Sequence, residues 1–142
     1  MTSHETAKRW SHIERFLRVD DSTGQVDDDF TAFHLVESTW SPAEQAAAYE
    51  EWAGFFEWRL AQRADELAGD RAKRHLVAKW TEDMAYCCRR IAAWARGENP
   101  GPWLHLWERR PDLDAEGQAI VAEIVARMGG HGQPSRHLPQ AG

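Results

Sequence analysis

SPAEQAAAYEEWAGFFEWRLAQRADELAG (residues 41–69) runs directly into DRAKRHLVAKWTEDMAYCCRRIAAWARG (residues 70–97), and the reading of this stretch decides the fold. Ser41-Pro42-Ala43-Glu44 is a helix start. The Ser41 hydroxyl can accept the third helical N–H, and Pro42 suits the first helical position, where an N–H has no partner. Glu44 can reach back to close a capping box. Tyr49, Trp52, Ala53, Phe56, Leu60, Ala64 and Leu67 then recur on one face at helical spacing. Gly69 supplies a left-handed stop, so the first helix is expected over about 42–68. Asp70 caps the next, expected over 70–96 and ended by Gly97. Its apolar side carries Leu76, Val77, Trp80, Met84, Cys87, Cys88, Ile91 and Ala95, with Trp94 at the edge. Only Gly69-Asp70 separates the two helices, which forces an antiparallel hairpin or a sharp kink. Net charges of −4 over 41–69 and +4 over 70–96 favour their pairing.

On the N-terminal side, Trp10, Ile13 and Leu17, with Phe16 at the margin, predict a helix from about Ser3 to Arg18. Asp20-Asp21-Ser22-Thr23-Gly24 reads as a turn. Asp27-Asp28-Asp29 can cap a short helix over 30–38, placing Phe30, Phe33, His34 and Glu37 on one side. The alternation in Thr31 to Val36 also permits a strand. On the C-terminal side, Asn99-Pro100-Gly101-Pro102 is a loop. Trp103, Leu104, Leu106 and Trp107 form one aromatic turn before Pro111. A last helix, capped by Asp112 or Asp114, runs to Met128 on the apolar face of Leu113, Ile120, Val121, Ile124, Val125 and Met128. Residues 131–142 read as a flexible tail. The fold class is therefore all-α: one domain over 1–130, a bundle of four to five helices on the central hairpin, with the first and last helices packing across it.

A chain of 142 residues with 42% apolar content can build a core without disulfides or metals. No stretch approaches the ~20 apolar residues that span a bilayer, and Met1 to Trp10 is polar, so a cytoplasmic location is expected. Cys87 and Cys88 are adjacent within a helix and read as two reduced thiols. Fourteen Arg against three Lys, with abundant Ala, suggests a GC-rich bacterial genome. The net charge of −6 makes the whole chain a poor polyanion binder, the 70–96 segment excepted.

Catalytic chemistry finds no support. His4, His12, His34, His75, His105, His131 and His137 are scattered without metal-ligand spacing, so no metal and no cofactor are expected. There is no phosphate loop, dinucleotide fingerprint or activated nucleophile. Arg59 and Arg63 interrupt the apolar arc of Trp52, Phe56 and Leu60. Such cations need carboxylate partners, for which Glu37 and Asp27 to Asp29 are candidates, or an anionic ligand. Trp58 lies outside that arc and needs a cover, from within the chain or from another protein. Arg71, Arg74, Arg89 and Arg96 lie opposite the core face of the second helix, with Lys79 and Arg90 on a flank, and could track a phosphate backbone. The leading expectation is a non-enzymatic interaction module, docking another protein or itself. The alternatives are a nucleic-acid-associated subunit using the basic helix, and a small-molecule enzyme or binding protein. The last would use a pocket of Trp52, Phe56, Arg59, Arg63 and His34.

Overall fold

A computed structural model describes residues 3–129. The tail expected over 131–142 lies outside the described residues. Helix dominates: α1 (Ser3–Lys8), α2 (Phe30–Val36), α3 (Pro42–Gln62), α4 (Ala64–Leu67), α5 (Arg71–Ala95), α6 (Leu106–Arg109) and α7 (Pro111–Gly129). Short 3-10 turns occupy Glu14–Phe16 and Glu37–Thr39. Two strands, β1 (Leu17–Val19) and β2 (Val26–Asp28), pair antiparallel with Leu17 opposite Asp28 and Val19 opposite Val26. No described helix is long and apolar enough to cross a membrane.

The central pair is α3 and α5. Glu57 meets Arg89 at 2.7 Å and Glu50 meets Arg96 at 3.1 Å, so one helix advances as the other recedes. The capping box at Ser41 is present on both sides, and Asp70 accepts the Lys73 N–H at 3.0 Å. Gly97 ends α5 with φ +80°.

Several expectations are corrected. The first helix of the pair stops at Gln62, not 68. Arg63 leaves helical geometry, and the single turn of α4 follows, tucking Leu67 into a buried position. Gly69 is not a left-handed stop, because among the described residues only Gly24, Gly97 and Gly101 have positive φ. The long helix expected over 3–18 is one short helix, a 3-10 turn and a strand. The hairpin is closed by Gly24, whose N–H reaches the Asp20 carbonyl at 2.7 Å. The ambiguous 30–38 segment is helical, capped by Asp29, whose carboxylate accepts the Ala32 N–H.

The core is aromatic and lies where residues 10–40 fold over α3. Phe33 sits edge-on to Tyr49 and Trp52 at ring distances of 5.2 and 5.6 Å, and Phe30 meets Trp52 at 5.1 Å. Phe55, missed from the sequence arc, is fully buried and packs roughly perpendicular to Trp10, ring centres 6.3 Å apart. The Trp10 ring lies so close to Gly54 that a Cβ there would stand 2.8 Å from it. From α5 the fully buried contributors are the small Ala85, Cys88 and Ala92, which let the helices approach closely. Leu76 and Trp80, expected in the core, are exposed. α3 ends before it can oppose the first turns of α5.

The alkaline limit of stability follows from this core. Burial, reinforced by the charge of Glu37 and a hydrogen bond to it, holds the Tyr49 phenol well above its ordinary 10.0. Burial, with the neighbouring Cys87, pushes the Cys88 thiol from 9.0 up to about 12. Both groups hold their protons more tightly folded than unfolded. Their stabilisation is complete below pH 9 and is lost as pH rises above it. The thermal midpoint is expected to fall progressively above that pH, and less so in Tyr49→Phe. A flat profile to pH 12 would contradict the assignment.

α7 rests on α5 at His75, which is buried with Nδ1 3.0 Å from Glu116 Oε1. A Cβ at Gly117 would lie 2.6 Å from His75 Nε2, so only glycine permits this approach. Gly117→Ala should therefore destabilise the protein by about 1–2 kcal/mol through overpacking, against the helix-propensity gain. Gly69→Ala, with nothing within 4 Å, should be neutral or slightly stabilising. Urea unfolding of the two variants checks the contrast.

Candidate functional site

The β-hairpin and the end of α3 build one candidate region. Arg59, on the last turn of α3, donates to Asp28 at 2.6 Å, and its guanidinium lies 5.1 and 5.4 Å from the ring centres of Phe55 and Phe56. Asp28 also accepts the Phe30 N–H, so one carboxylate ties the start of α2 to α3. This is the acidic partner expected from the 20–40 segment. Arg63 differs: it pairs with Glu66, three residues on, at 3.1 Å in an exposed position.

Two hollows flank this arginine pair. A polar one of about 540 Å³ lies against residues 23–27 of the hairpin and is lined by Trp58, Arg59, Gln62, Arg63 and Glu66. The hairpin loop is thus the neighbour of Trp58 on its outer face. An apolar hollow of about 430 Å³ lies toward α5, between Phe56, Leu60, Leu76, Val77 and Trp80, again with Arg59 and Arg63. Of the pocket expected from the sequence, Phe56 and the two arginines come together. Trp52 is fully buried in the core and lines neither hollow. His34 is exposed and stacks on Phe30 at 6.2 Å, while Glu37 accepts a hydrogen bond from Gln45 at 3.1 Å. Neither lines a hollow with the arginines.

The second region lies further along α5, over residues 83–94, and spacing alone did not reveal it. Arg90, expected on a solvated flank, is buried. It donates to the Gly101 carbonyl at 2.8 Å and the Pro102 carbonyl at 3.3 Å, pinning the 99–105 loop to the helix. Its guanidinium lies 5.2–5.7 Å from the rings of Trp94, Tyr86 and Trp103. Arg109 of α6 closes the other side, 4.0 Å from the Tyr86 ring and paired with Asp83 at 2.7 Å. The Tyr86 hydroxyl accepts the Leu104 N–H. Two buried guanidiniums thus hold an outer layer in place. Trp94, Trp103 and Trp107 remain 55%, 44% and 57% exposed, with Leu104 beside them. The signal available in sequence was the cluster of tryptophans after the Pro-Gly-Pro loop.

The basic helix is answered by acids. Arg71 pairs with Glu123 at 2.6 Å, Arg89 forks onto both oxygens of Glu57 at 2.7 Å, and Arg96 bridges Glu50 and Glu98. Arg74 reaches the Ala68 carbonyl at 3.5 Å. Arg89 holds the Glu57 carboxyl below its ordinary range. Among the described residues, no three His, Cys, Asp or Glu side chains are placed to hold a metal ion.

Known proteins offer no guide. Neither protein families, curated proteins nor solved structures gave a match to this chain.

Proposed function

We propose that this protein is a non-enzymatic interaction module that docks another protein chain on the tryptophan face of α5 and the 99–109 segment. The observation that supports this reading is the exposure of Trp94, Trp103 and Trp107, the first two lying over the buried Arg90 guanidinium and the third stacked on His105 at 4.3 Å. Leaving three indoles in water is unfavourable unless something covers them. Tryptophan and arginine are the residues on which binding energy most often concentrates, and a rigid aromatic surface loses little entropy on docking. On this reading residues 1–130 act as one helical bundle of four to five helices on the α3–α5 pair. It works in the bacterial cytoplasm, without metal or cofactor.

The test is affinity purification of the full chain from its native host, with light scattering to detect self-association. The Trp94→Ser/Trp107→Ser double variant is expected to lose the partner. Its thermal midpoint should barely change, because both rings are already exposed. A protein that stays monomeric and retains no partner, or a partner retained equally by the double variant, overturns the reading.

A further inference from the structure

The geometry points to a further binding site between α5 and α7: a groove that takes an uncharged apolar molecule bearing a hydroxyl, held by Nε2 of His75. The groove measures about 630 Å³, a size that suits a small molecule. Its walls include Leu76, Ile120, Val121, Ile124 and Val125, and none of Trp94, Trp103 and Trp107 lines it. Leu76 is 64% exposed, and Val121 and Val125 are each 59% exposed, so the apolar wall stands open to an apolar body. Among the polar residues that line the groove, His75 alone is buried, at 8% exposure.

The imidazole decides the chemistry of the ligand. The Glu116 carboxylate stands 3.0 Å from Nδ1 and can only accept, so Nδ1 carries the proton. In the neutral ring Nε2 is then an acceptor, and the bond to Glu116 fixes its direction. Nε2 has no hydrogen-bond partner among the described residues, yet it is not sealed away: the enclosed, unpartnered side-chain nitrogens are those of Trp10, Trp52 and Arg109. Gly117 lines the groove too, and it leaves free the space beside Nε2 where a Cβ would stand 2.6 Å from the nitrogen. Lys79 and Asp114 line the groove with opposite signs, and Asp114 already accepts the Gln118 amide at 2.7 Å. Their charges cancel and leave none to select an ion. An unpaired acceptor among apolar walls favours a neutral donor. An apolar alcohol or phenol supplies both the hydrocarbon and the O–H, and each buried methylene adds to its binding.

The test titrates the full chain with para-tert-butylphenol, octanol, para-tert-butylanisole and para-tert-butylbenzoate, by calorimetry and by NMR of methyl groups and imidazole nitrogens. One hydroxyl compound is expected per chain, shifting the methyls of Val121 and Val125 and the Nε2 resonance of His75. Preference for the phenol marks an aromatic hydroxyl, and preference for octanol an aliphatic one; either supports the site. The anisole has the body of the phenol without its O–H and should bind about tenfold more weakly. His75→Asn keeps an amide N–H for Glu116 and removes Nε2, so it should erase the difference between phenol and anisole. If that variant does not fold, Val125→Asp, at an exposed position, should fold and weaken the phenol about tenfold. The site is overturned by no binding of either hydroxyl compound up to about 1 mM, by an anisole that binds as well as the phenol, by a benzoate that binds more tightly, or by an unmoved Nε2 resonance. A dimer that buries Val121 and Val125 overturns it too, since it gives the groove to a second copy of the chain.

Discussion

Trp52→Ala is expected to remove about 3–5 kcal/mol of stability, a large part of the 5–15 kcal/mol typical of a domain. The ring is fully buried and stands 5.1–5.8 Å from Phe30, Phe33, Phe55 and Phe56, so it touches both α2 and its own helix. Removing it leaves a cavity walled by aromatic rings too rigid to collapse into the space. Its indole N–H has no acceptor, so no hydrogen bond is lost and the effect is one of packing. Trp52→Phe should consequently be mild, since it keeps a ring and removes an unpaired polar group. Thermal unfolding should place the alanine variant about 10–15 °C below the parent. A loss under about 1 kcal/mol would mean that the aromatic core is not the centre of the fold.

Arg90→Ala carries the next largest effect, about 2–4 kcal/mol, and joins stability to the proposed docking face. The side chain makes charge-assisted bonds to the Gly101 and Pro102 carbonyls and lies against three aromatic rings. Alanine frees the loop and leaves Trp94 and Trp103 without their common support. Arg90→Lys should rescue little, because an ammonium cannot serve two carbonyls and stack on three rings at once. The measurements are the thermal midpoint and partner retention, each under conditions where the chain is still folded. If Arg90→Ala keeps its partner at full strength, the tryptophan layer does not need a rigid base to dock.

Legibility of the fold tracked the range of the forces involved. The starts of α3 and α5 were readable because capping is settled within four residues. Ser41 with Glu44, and Asp70 with Lys73, behave as their spacing implies. The Arg59 partner was readable as a type, an acid from the 20–40 segment, because a buried cation requires one. Which acid it is depended on a hairpin whose three-residue strands are too short to show alternation. The expected pocket was partly legible for the same reason. Spacing placed Phe56, Arg59 and Arg63 together on α3, but could not show that Trp52 points into the core while His34 stands outside it.

By itself, the sequence determined a helical protein centred on an antiparallel pair, with arginines intruding on one apolar face. Those properties follow from side-chain period and local hydrogen bonding. Tertiary structure alone decided three others. The break at Arg63 has no glycine or proline to announce it; with it, the next turn carries Leu67 into a buried position. Exposure of Leu76 and Trp80 follows from where α3 ends, since an apolar face is buried only if another element is long enough to cover it. Burial of Arg90 follows from the return of the 99–109 segment onto α5, where carbonyls and aromatic rings replace water around a charge that composition alone would leave on the surface.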